Sequence, residues 1–177
     1  IGPANMIGCP GRGWKFIDTP KGRVLVISLL GSTVGREVAS NNPLQTIDEI
    51  LQENVDEKRA ATVINFHGDY SSEKVIIGHY LDGRVSVVVG DHWHVPTADA
   101  DILPKRTAHM TDVGMIGALD ASLGVTFDSV VPRWRDGAVT KNELETKGRR
   151  QFNALLATVD EKTGLAADCK HLRTVIS

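Results

Sequence analysis

The sequence predicts an α/β fold in which parallel strands alternate with helices and a β-hairpin ends the chain. Two runs of mostly β-branched residues, at 60–66 and 85–89, have the continuous apolar character of strands that are covered on both faces. A segment with helical character separates them. Two longer runs rich in apolar residues flank a Gly-containing turn near the end of the sequence. Together these features favour one layered α/β domain over residues 1–177.

The first elements are a hairpin, a loop and a helix. Residues 14–18 and 23–29 are β-rich and are separated by a Pro-then-Gly turn signal, which predicts a hairpin. Residues 31–43 are rich in Gly, Ser and Asn and have no sustained period, so we expect a loop that is long enough for a functional role. From Leu44 to Val55 the apolar residues fall on one helical face and the acidic residues on the other, which predicts an amphipathic helix.

Polar residues follow each of the three strands predicted in the middle of the sequence. The first strand leads directly into His67, and the third leads into Asp112. Because the carboxyl ends of parallel strands meet at one edge of an open sheet, where ligands bind, we expect a functional site at that edge. The three predicted strands are residues 60–66, 85–89 and 107–111.

A second helix and a terminal hairpin complete the predicted fold. Ser71 and Ser72 can cap a helix that continues to about Leu81. Residues 152–159 and 165–175 flank a polar turn that ends in Gly, and this arrangement predicts an antiparallel hairpin.

Composition and charge exclude several classes of function. The sequence carries 20 basic and 22 acidic side chains without a Lys/Arg block, which gives no electrostatic reason to expect a nucleic-acid polymer or a membrane surface as partner. Small phosphorylated ligands stay compatible with this charge. The longest apolar run, at 24–30, is far shorter than the roughly 18 residues of a membrane-spanning helix. Cys9 and Cys169 lie near opposite ends of the sequence and predict free thiols in a reducing, cytoplasmic compartment.

Three of the six histidines follow predicted strands: His67 after the first, and His92 and His94 after the second. His92 and His94 lie in a loop that opens with Gly90, and their imidazoles can face one ion if the backbone is extended and locally bent. Neutral imidazole suits Zn, Fe, Mn or Ni. The alternative is a solvated pair of histidines that binds nothing.

Two aspartates are candidates for supporting these histidines. Asp69, two residues after His67, can orient a ligand histidine or bind a metal through water, but an Asp in a Gly-Asp turn is usually a turn residue. Asp112 follows the third strand at the same edge, so it can hydrogen-bond a ligand histidine or cap the turn before Gly114. Both alternatives stay open at this point. His109, in the middle of the third strand, is expected to be structural or exposed.

Several strings of residues belong together as a motif set. They are Phe66-His67 with Ser72-Glu73-Lys74, Tyr80-Leu81-Asp82-Gly83-Arg84-Val85-Ser86, Gly90-x-His92-x-His94-Val95, and Thr111-Asp112-Val113-Gly114-Met115. With these strings the sequence resembles the YmdB-like family of bacterial calcineurin-like metallophosphoesterases over nearly its whole length. The strings are specific as a set, although Gly-x-His-x-His alone is shared by many metallophosphoesterases.

The resemblance implies a metallophosphoesterase-like layered α/β fold with metal ligands at the carboxyl ends of its strands. It also implies a hydrolase with two metal ions that cleaves small phosphodiesters, 2′,3′-cyclic nucleotides being the associated substrate class. By the resemblance, His67 and His92 bind one ion and His94 binds the other. The ions are divalent or trivalent, Fe or Mn, with Zn as an alternative. Two such cations make hydroxide from water at neutral pH and stabilise the phosphorus transition state through its oxygens.

The sequence also departs from the family. Family members begin with a strand ending in Gly-Asp, then Gly-Glu-Asn and Gly-Asn-His segments, which provide the remaining ligands and the histidine that protonates the leaving group. None of these opening segments occurs here, so the chain resembles the C-terminal half of a larger metallophosphoesterase domain, and no catalytic residue is assigned in it. Asp91 and Trp93 replace threonines common around the histidine pair, and Gly68-Asp69 stands where Ala-Glu is usual. Asp69, Asp91 and Asp112 are therefore the candidates for contacting a ligand histidine or the substrate.

Three functional hypotheses follow. In the first, which we favour, the chain is part of a phosphodiesterase that is active when a complementary N-terminal polypeptide supplies the missing ligands, as a second chain or as an upstream part of the same gene product, or within a homo-oligomer. In the second, it is a non-catalytic structural or binding domain of the same fold. In the third, His67, His92 and His94 form a mononuclear site, because three protein ligands and a water can hold one ion.

Overall fold

A six-stranded sheet positions the histidines. The computed structural model describes residues 1–34 and 39–177. The strands of this sheet are β1 (Trp14–Thr19), β2 (Gly22–Leu30), β3 (Ala61–His67), β4 (Val87–Asp91), β5 (Asp101–Ile102) and β6 (Ala108–Met110). They lie in the order β1-β2-β3-β4-β6-β5, with β2, β3, β4 and β6 parallel and with β1 and β5 antiparallel at the two edges. The carboxyl ends of the parallel strands therefore share one edge.

The described part of the chain also contains three helices and a second, antiparallel sheet. The helices are α1 (Pro43–Glu53), α2 (Ser71–Tyr80) and α3 (Phe127–Asp136). The second sheet has the order β7-β8-β9 and consists of β7 (Gly117–Ala118), β8 (Arg150–Val159) and β9 (Ala166–Ile176). None of the described helices has the length and apolar character needed to cross a membrane.

The main core lies on one face of the parallel strands. Side chains along β3 alternate between buried and partly exposed, because successive residues of a strand point to opposite faces of the sheet. Burying one large apolar side chain such as Phe66 contributes about 1.5–3 kcal/mol to folding. The packing on this face includes Ile27, Leu29, Ile64 and Phe66 from the strands, Ile47 from α1 and Ile77 from α2.

The hairpin of β8 and β9 packs against the other face of the sheet. Ala166, the first residue of β9, forms a buried cluster with Val87 of β4 and Ala108 of β6. Leu155 and Cys169 pack against this cluster from β8 and β9. The backbone N–H of Ala166 also donates to the carbonyl of Arg106, at 2.8 Å. The terminal hairpin is thereby attached to the sheet that carries the histidines.

Most of the elements predicted from the sequence are confirmed, with small shifts at their ends. The predicted N-terminal hairpin corresponds to β1 and β2, the amphipathic helix to α1, the three central strands to β3, β4 and β6, and the terminal hairpin to β8 and β9. The elements β5, β7 and α3 were not predicted. Of the loop expected at 31–43, residues 35–38 lie outside the described residues.

Two local expectations are wrong. Ser71 and Ser72 do not cap α2, because the helix already begins at Ser71 and its N-cap is Tyr70, which makes no side-chain capping hydrogen bond. β3 is not fully covered on both faces, since every second residue of it is partly exposed. The terminal hairpin covers this second face only in part.

Gly90 of β4 lies where two backbone segments approach closely. A Cβ atom at this position would lie 1.9 Å from the carbonyl oxygen of Thr111, which belongs to the backbone and has no flexible end to move away. We expect Gly90→Ala to lower the free energy of unfolding by about 1–3 kcal/mol, the cost of overpacking a packed interior. Urea denaturation of both proteins measures this. Val139→Ala, at a fully exposed position, is the control and should change little; equal stability of the Gly90 variant and the parent would contradict the prediction.

His109 of β6 is structural, one of the two roles expected for it. It is 5% exposed. Its Nδ1 lies 3.0 Å from the carbonyl oxygen of Val88 and its Nε2 has no partner among the described residues. Burial lowers the pKa of His109 below its ordinary value of 6.5, although the hydrogen bond to Val88 opposes this.

This lowered pKa makes the stability of the protein depend on pH. The unfolded chain binds the His109 proton at a higher pH than the folded chain does. The contribution to stability is therefore complete above pH 6.5 and is lost as the pH falls toward the folded pKa. We expect urea denaturation between pH 7.5 and 5.5 to show a slope that His109→Gln reduces by up to about 1.4 kcal/mol per pH unit. Val139→Ala, at an exposed and uncharged position, is the control and should keep the parent slope; an unchanged slope in the His109 variant would refute the prediction.

Candidate metal site at the carboxyl edge of the sheet

His67 and Asp91 lie opposite one another at the carboxyl ends of β3 and β4. They are paired in the parallel register of the two strands. Asp91 Oδ1 lies 2.7 Å from Nδ1 of His67. A carboxylate accepts a hydrogen bond, so Nδ1 carries the proton and Nε2 keeps a lone pair. Asp91 thus orients His67 and sets its tautomer.

The free nitrogen of His67 faces His92. Nε2 of His67 lies 3.2 Å from Nδ1 of His92, and the two rings are nearly perpendicular, with centroids 4.7 Å apart. Two imidazole nitrogens at this separation can share a proton, and both can also lie at the distance of about 2.0–2.1 Å that metal–imidazole bonds require. The pair therefore fits two positions in the coordination of one ion.

Asp69 lies on the other side of His92. Its Oδ1 is 3.7 Å from Nε2 of His92, and both side chains are partly exposed. Asp69 therefore contacts the imidazole of His92 through the nitrogen that does not face His67. This separation is longer than a hydrogen bond, so the contact places a negative charge near His92, and the orienting role of Asp69 stays a prediction.

His94 is separated from the other two histidines. It is exposed, and its Nδ1 lies 3.3 Å from the backbone carbonyl of Leu123. Within residues 1–34 and 39–177, no group of three or more His, Cys, Asp or Glu side chains is arranged to hold a metal ion. The mononuclear hypothesis requires all three histidines at one ion. The structure brings His67 and His92 together but does not place His94 with them.

The backbone of the histidine loop is in an uncommon conformation. His92 has φ 127° and His94 has φ 66°, and Leu123, which contacts His94, has φ 52°. Positive φ is rare for residues other than glycine and is concentrated at functional sites, where the surrounding structure maintains it. Three of the four non-glycine residues with positive φ in the described part of the chain belong to this small region.

A buried ion pair stabilises the loop that carries His92 and His94. Lys74 of α2 and Asp112 have fully buried side chains, and Nζ of Lys74 lies 2.6 Å from Oδ2 of Asp112. The same carboxylate oxygen accepts the backbone N–H of Trp93 at 2.8 Å, and Oδ1 accepts the N–H of Gly114 at 2.9 Å. Asp112 therefore anchors the residue between the two histidines and also caps the turn before Gly114, the second of its two expected roles.

Trp93 contacts both Lys74 and Asp69. Nζ of Lys74 lies 3.8 Å from the centroid of its ring, and its indole N–H donates to the carbonyl of Asp69 at 2.8 Å. The role of Lys74 was not predicted from the sequence, in which Lys74 was noted only as part of the Ser72-Glu73-Lys74 motif. Its position four residues into the helix after the first histidine strand was the one available signal.

Glu73, the neighbour of Lys74, connects the end of β2 to the same edge. Its carboxylate accepts the backbone N–H of Ser32 at 3.1 Å and the hydroxyls of Ser32 and Thr33. The start of the predicted loop at 31–43 is therefore attached to α2. This contact was also not predicted.

Comparison with solved structures identifies the class of fold. A crystal structure of a novel phosphatase from Mycoplasma pneumoniae superimposes with TM-score 0.87 at 26% identity, covering 98% of this chain and 62% of that one. A hypothetical protein from Thermus thermophilus gives TM-score 0.87 at 29% identity, covering 98% and 66%. The predicted fold class is confirmed: the chain has the metallophosphoesterase-like layered α/β fold with a terminal hairpin.

The family follows from the sequence comparison. The family described as YmdB-like protein matches residues 1–172, so the chain belongs to the YmdB-like family, as its motifs suggested. It is 34% identical over 174 residues to the 2′,3′-cyclic-nucleotide 2′-phosphodiesterase of Bacillus subtilis strain 168, covering 97% of this chain and 64% of that protein. The chain spans 58% to 64% of the length of the curated relatives that it matches.

Proposed function

We propose that this chain is part of a metal-dependent phosphodiesterase with two metal ions, which hydrolyses small phosphodiesters such as 2′,3′-cyclic nucleotides. The observation that carries the proposal is the pair of facing nitrogens on His67 and His92, with Asp91 fixing the tautomer of His67. The substrate class comes from the name of the Bacillus subtilis relative, which is 34% identical to this chain over 174 residues.

The proposal gives each histidine a role. His67 and His92 hold one cation through the two facing nitrogens, and His94 holds the second through Nε2, because its Nδ1 is directed at the carbonyl of Leu123. The two ions are Fe or Mn, with Zn as the alternative that imidazole ligands also accept. When bound, such ions lower the pKa of a water molecule and stabilise charge on the phosphoryl oxygens.

The remaining residues position these ligands. Asp91 and Asp69 orient His67 and His92, and the Lys74–Asp112 pair holds the loop between His92 and His94. We assign none of these residues to the protonation of the leaving group. The proton donor and the carboxylate or amide ligands that complete two coordination spheres belong to a complementary N-terminal polypeptide or to a homo-oligomer.

The experiment that tests the proposal combines mass, metal and activity on the protein purified from its source. Denaturing intact-mass analysis identifies every polypeptide present, and elemental analysis counts the ions per assembled enzyme. We expect two ions, and hydrolysis of 2′,3′-cyclic AMP that EDTA removes and Mn²⁺ or Fe²⁺ restores. A preparation that stays metal-free and inactive after addition of both ions would overturn the proposal in favour of a non-catalytic domain of the same fold.

A further inference from the structure

A pocket of about 370 Å³ opens beside His94. We propose that this pocket binds the organic group of the phosphodiester, a nucleoside, while the phosphate lies at His94. The inference rests on the proposed function and deepens it, because it states where the part of the substrate that does not react is bound.

The composition of the pocket suits such a group. Met115, Leu119 and Leu123 contribute apolar walls, and the polar groups are the side chains of His94, Gln151 and Arg173. Binding sites for small molecules are concave, mostly apolar, and oriented by a few polar groups, with volumes from about 300 Å³ upward. The pocket lies at the lower end of that range, which matches a single nucleoside and not a longer oligonucleotide.

A strained turn connects the pocket to His94. Leu123 and Gly124 are the central residues of a two-residue turn, with φ 52° and 88°, closed by hydrogen bonds of 2.8 and 3.0 Å between Ser122 and Val125. Turns of this geometry favour Asn-Gly, because both central residues have positive φ. Leucine in the first position is costly. Its side chain lines the pocket and its carbonyl contacts Nδ1 of His94, so the turn joins the pocket wall to the predicted metal ligand.

Hydrogen bonds also hold the part of the pocket wall that Met115 forms. The N–H of Met115 donates to the carbonyl of His94 at 3.0 Å, and Nδ2 of Asn153 donates to the carbonyl of Met115 at 2.7 Å. Asn153 is 4% exposed. The pocket is therefore built from the histidine loop, the chain after Asp112 and the terminal hairpin, all held together before any ligand binds.

Arg173 supplies positive charge at this pocket. It lies on β9 opposite Asn153, and its guanidinium makes no hydrogen bond or ion pair within the described part of the chain. An unpaired guanidinium beside His94 suits the negative charge of a phosphodiester. The apolar walls and this cation together fit a molecule that is apolar at one end and anionic at the other.

The test uses direct binding, so that it does not depend on catalysis. The purified assembled protein is treated with EDTA and titrated with adenosine 3′-monophosphate by calorimetry. Two variants alter the pocket: Ala121→Phe fills it from the wall, and Arg173→Gln removes the cation. Each should weaken binding by about tenfold or more. Lys170→Gln, an exposed residue on the same strand β9, is the matched control and should bind with the parent affinity.

A second measurement separates the pocket from the site of reaction. We expect Ala121→Phe to raise KM for 2′,3′-cyclic AMP but to leave hydrolysis of ethylene cyclic phosphate, which lacks a nucleoside, unchanged. Parent affinity in both pocket variants, or a segment of another polypeptide occupying the pocket in the assembled protein, would overturn the inference. If the variants lose binding while the parent hydrolyses neither ester, the pocket assignment is retained and the proposed function fails.

Discussion

Replacing His92 with alanine is expected to abolish phosphodiesterase activity while the free energy of unfolding changes little. His92 provides one of the two facing nitrogens, and its side chain is 35% exposed, so its loss removes a ligand but creates no large cavity. Removing a residue that merely supports a metal ligand already costs 10–100-fold, so we expect a loss of more than about 100-fold here. The predicted change in stability is within about 1 kcal/mol, as for most partly exposed sites.

Initial rates with 2′,3′-cyclic AMP and metal content per assembled enzyme measure this effect. His79→Ala is the matched control, since His79 is an exposed histidine on α2 and contacts none of the candidate ligands. It should keep the parent rate and metal content. Full activity of the His92→Ala enzyme would refute the assignment of His92 as a ligand.

Lys74→Met is expected to lower the free energy of unfolding by about 3–5 kcal/mol, the cost of leaving one charge of a buried ion pair without its partner. Both side chains are 0% exposed, so water cannot replace the lost contact with Asp112. The substitution also removes the cation from the face of the Trp93 ring. The loop that carries His92 and His94 should become less ordered.

A double-mutant cycle tests this prediction by urea denaturation at pH 7. Lys74→Met combined with Asp112→Leu should lose less stability than the sum of the single variants, because no unpaired charge remains buried. The double variant stays less stable than the parent, since the N–H groups of Trp93 and Gly114 lose their acceptor. Lys21→Met, which breaks an exposed pair with Glu161, is the control and should change stability little. Additive losses in the cycle would contradict the coupling.

The positions of His67 and His92 could be predicted because they depend on local pattern and on one general rule. Continuous β-branched runs identify the strands, and the carboxyl ends of parallel strands share an edge. The sequence therefore indicated that His67 and His92 lie at this edge, but not that His94 is separated from them. The register of β3 with β4 places His67 beside Asp91. The helix α1 and both hairpins could be predicted for the same reason, because their amphipathic pattern and turn signals are also local in the sequence.

The Lys74–Asp112 ion pair that stabilises the histidine loop could not be predicted, because it joins residues that are distant in the sequence. Lysine is almost never fully buried unless it is paired, and the partner of Lys74 is Asp112, 38 residues further along the chain. β5 and β7 have two residues each, and strands of this length are too short to show a hydrophobic period. α3 contains Pro132 and four charged residues, which obscure its helical pattern. The unusual φ of Leu123 has no sequence signal, because leucine is not the residue expected there.

The pairing of β3 with β4 determines how this site can diverge among related proteins. His67 ends β3 and His92 directly follows β4, the neighbouring strand, so their separation reflects the interstrand spacing of about 4.8 Å and not the length of the chain between them. Residues inserted between α2 and β4 would lengthen a surface connection and leave the two imidazoles where they are. A single deletion within β4 would instead turn each following side chain to the opposite face of the sheet. Length variation among homologues should therefore accumulate in the connection and be absent from the strand.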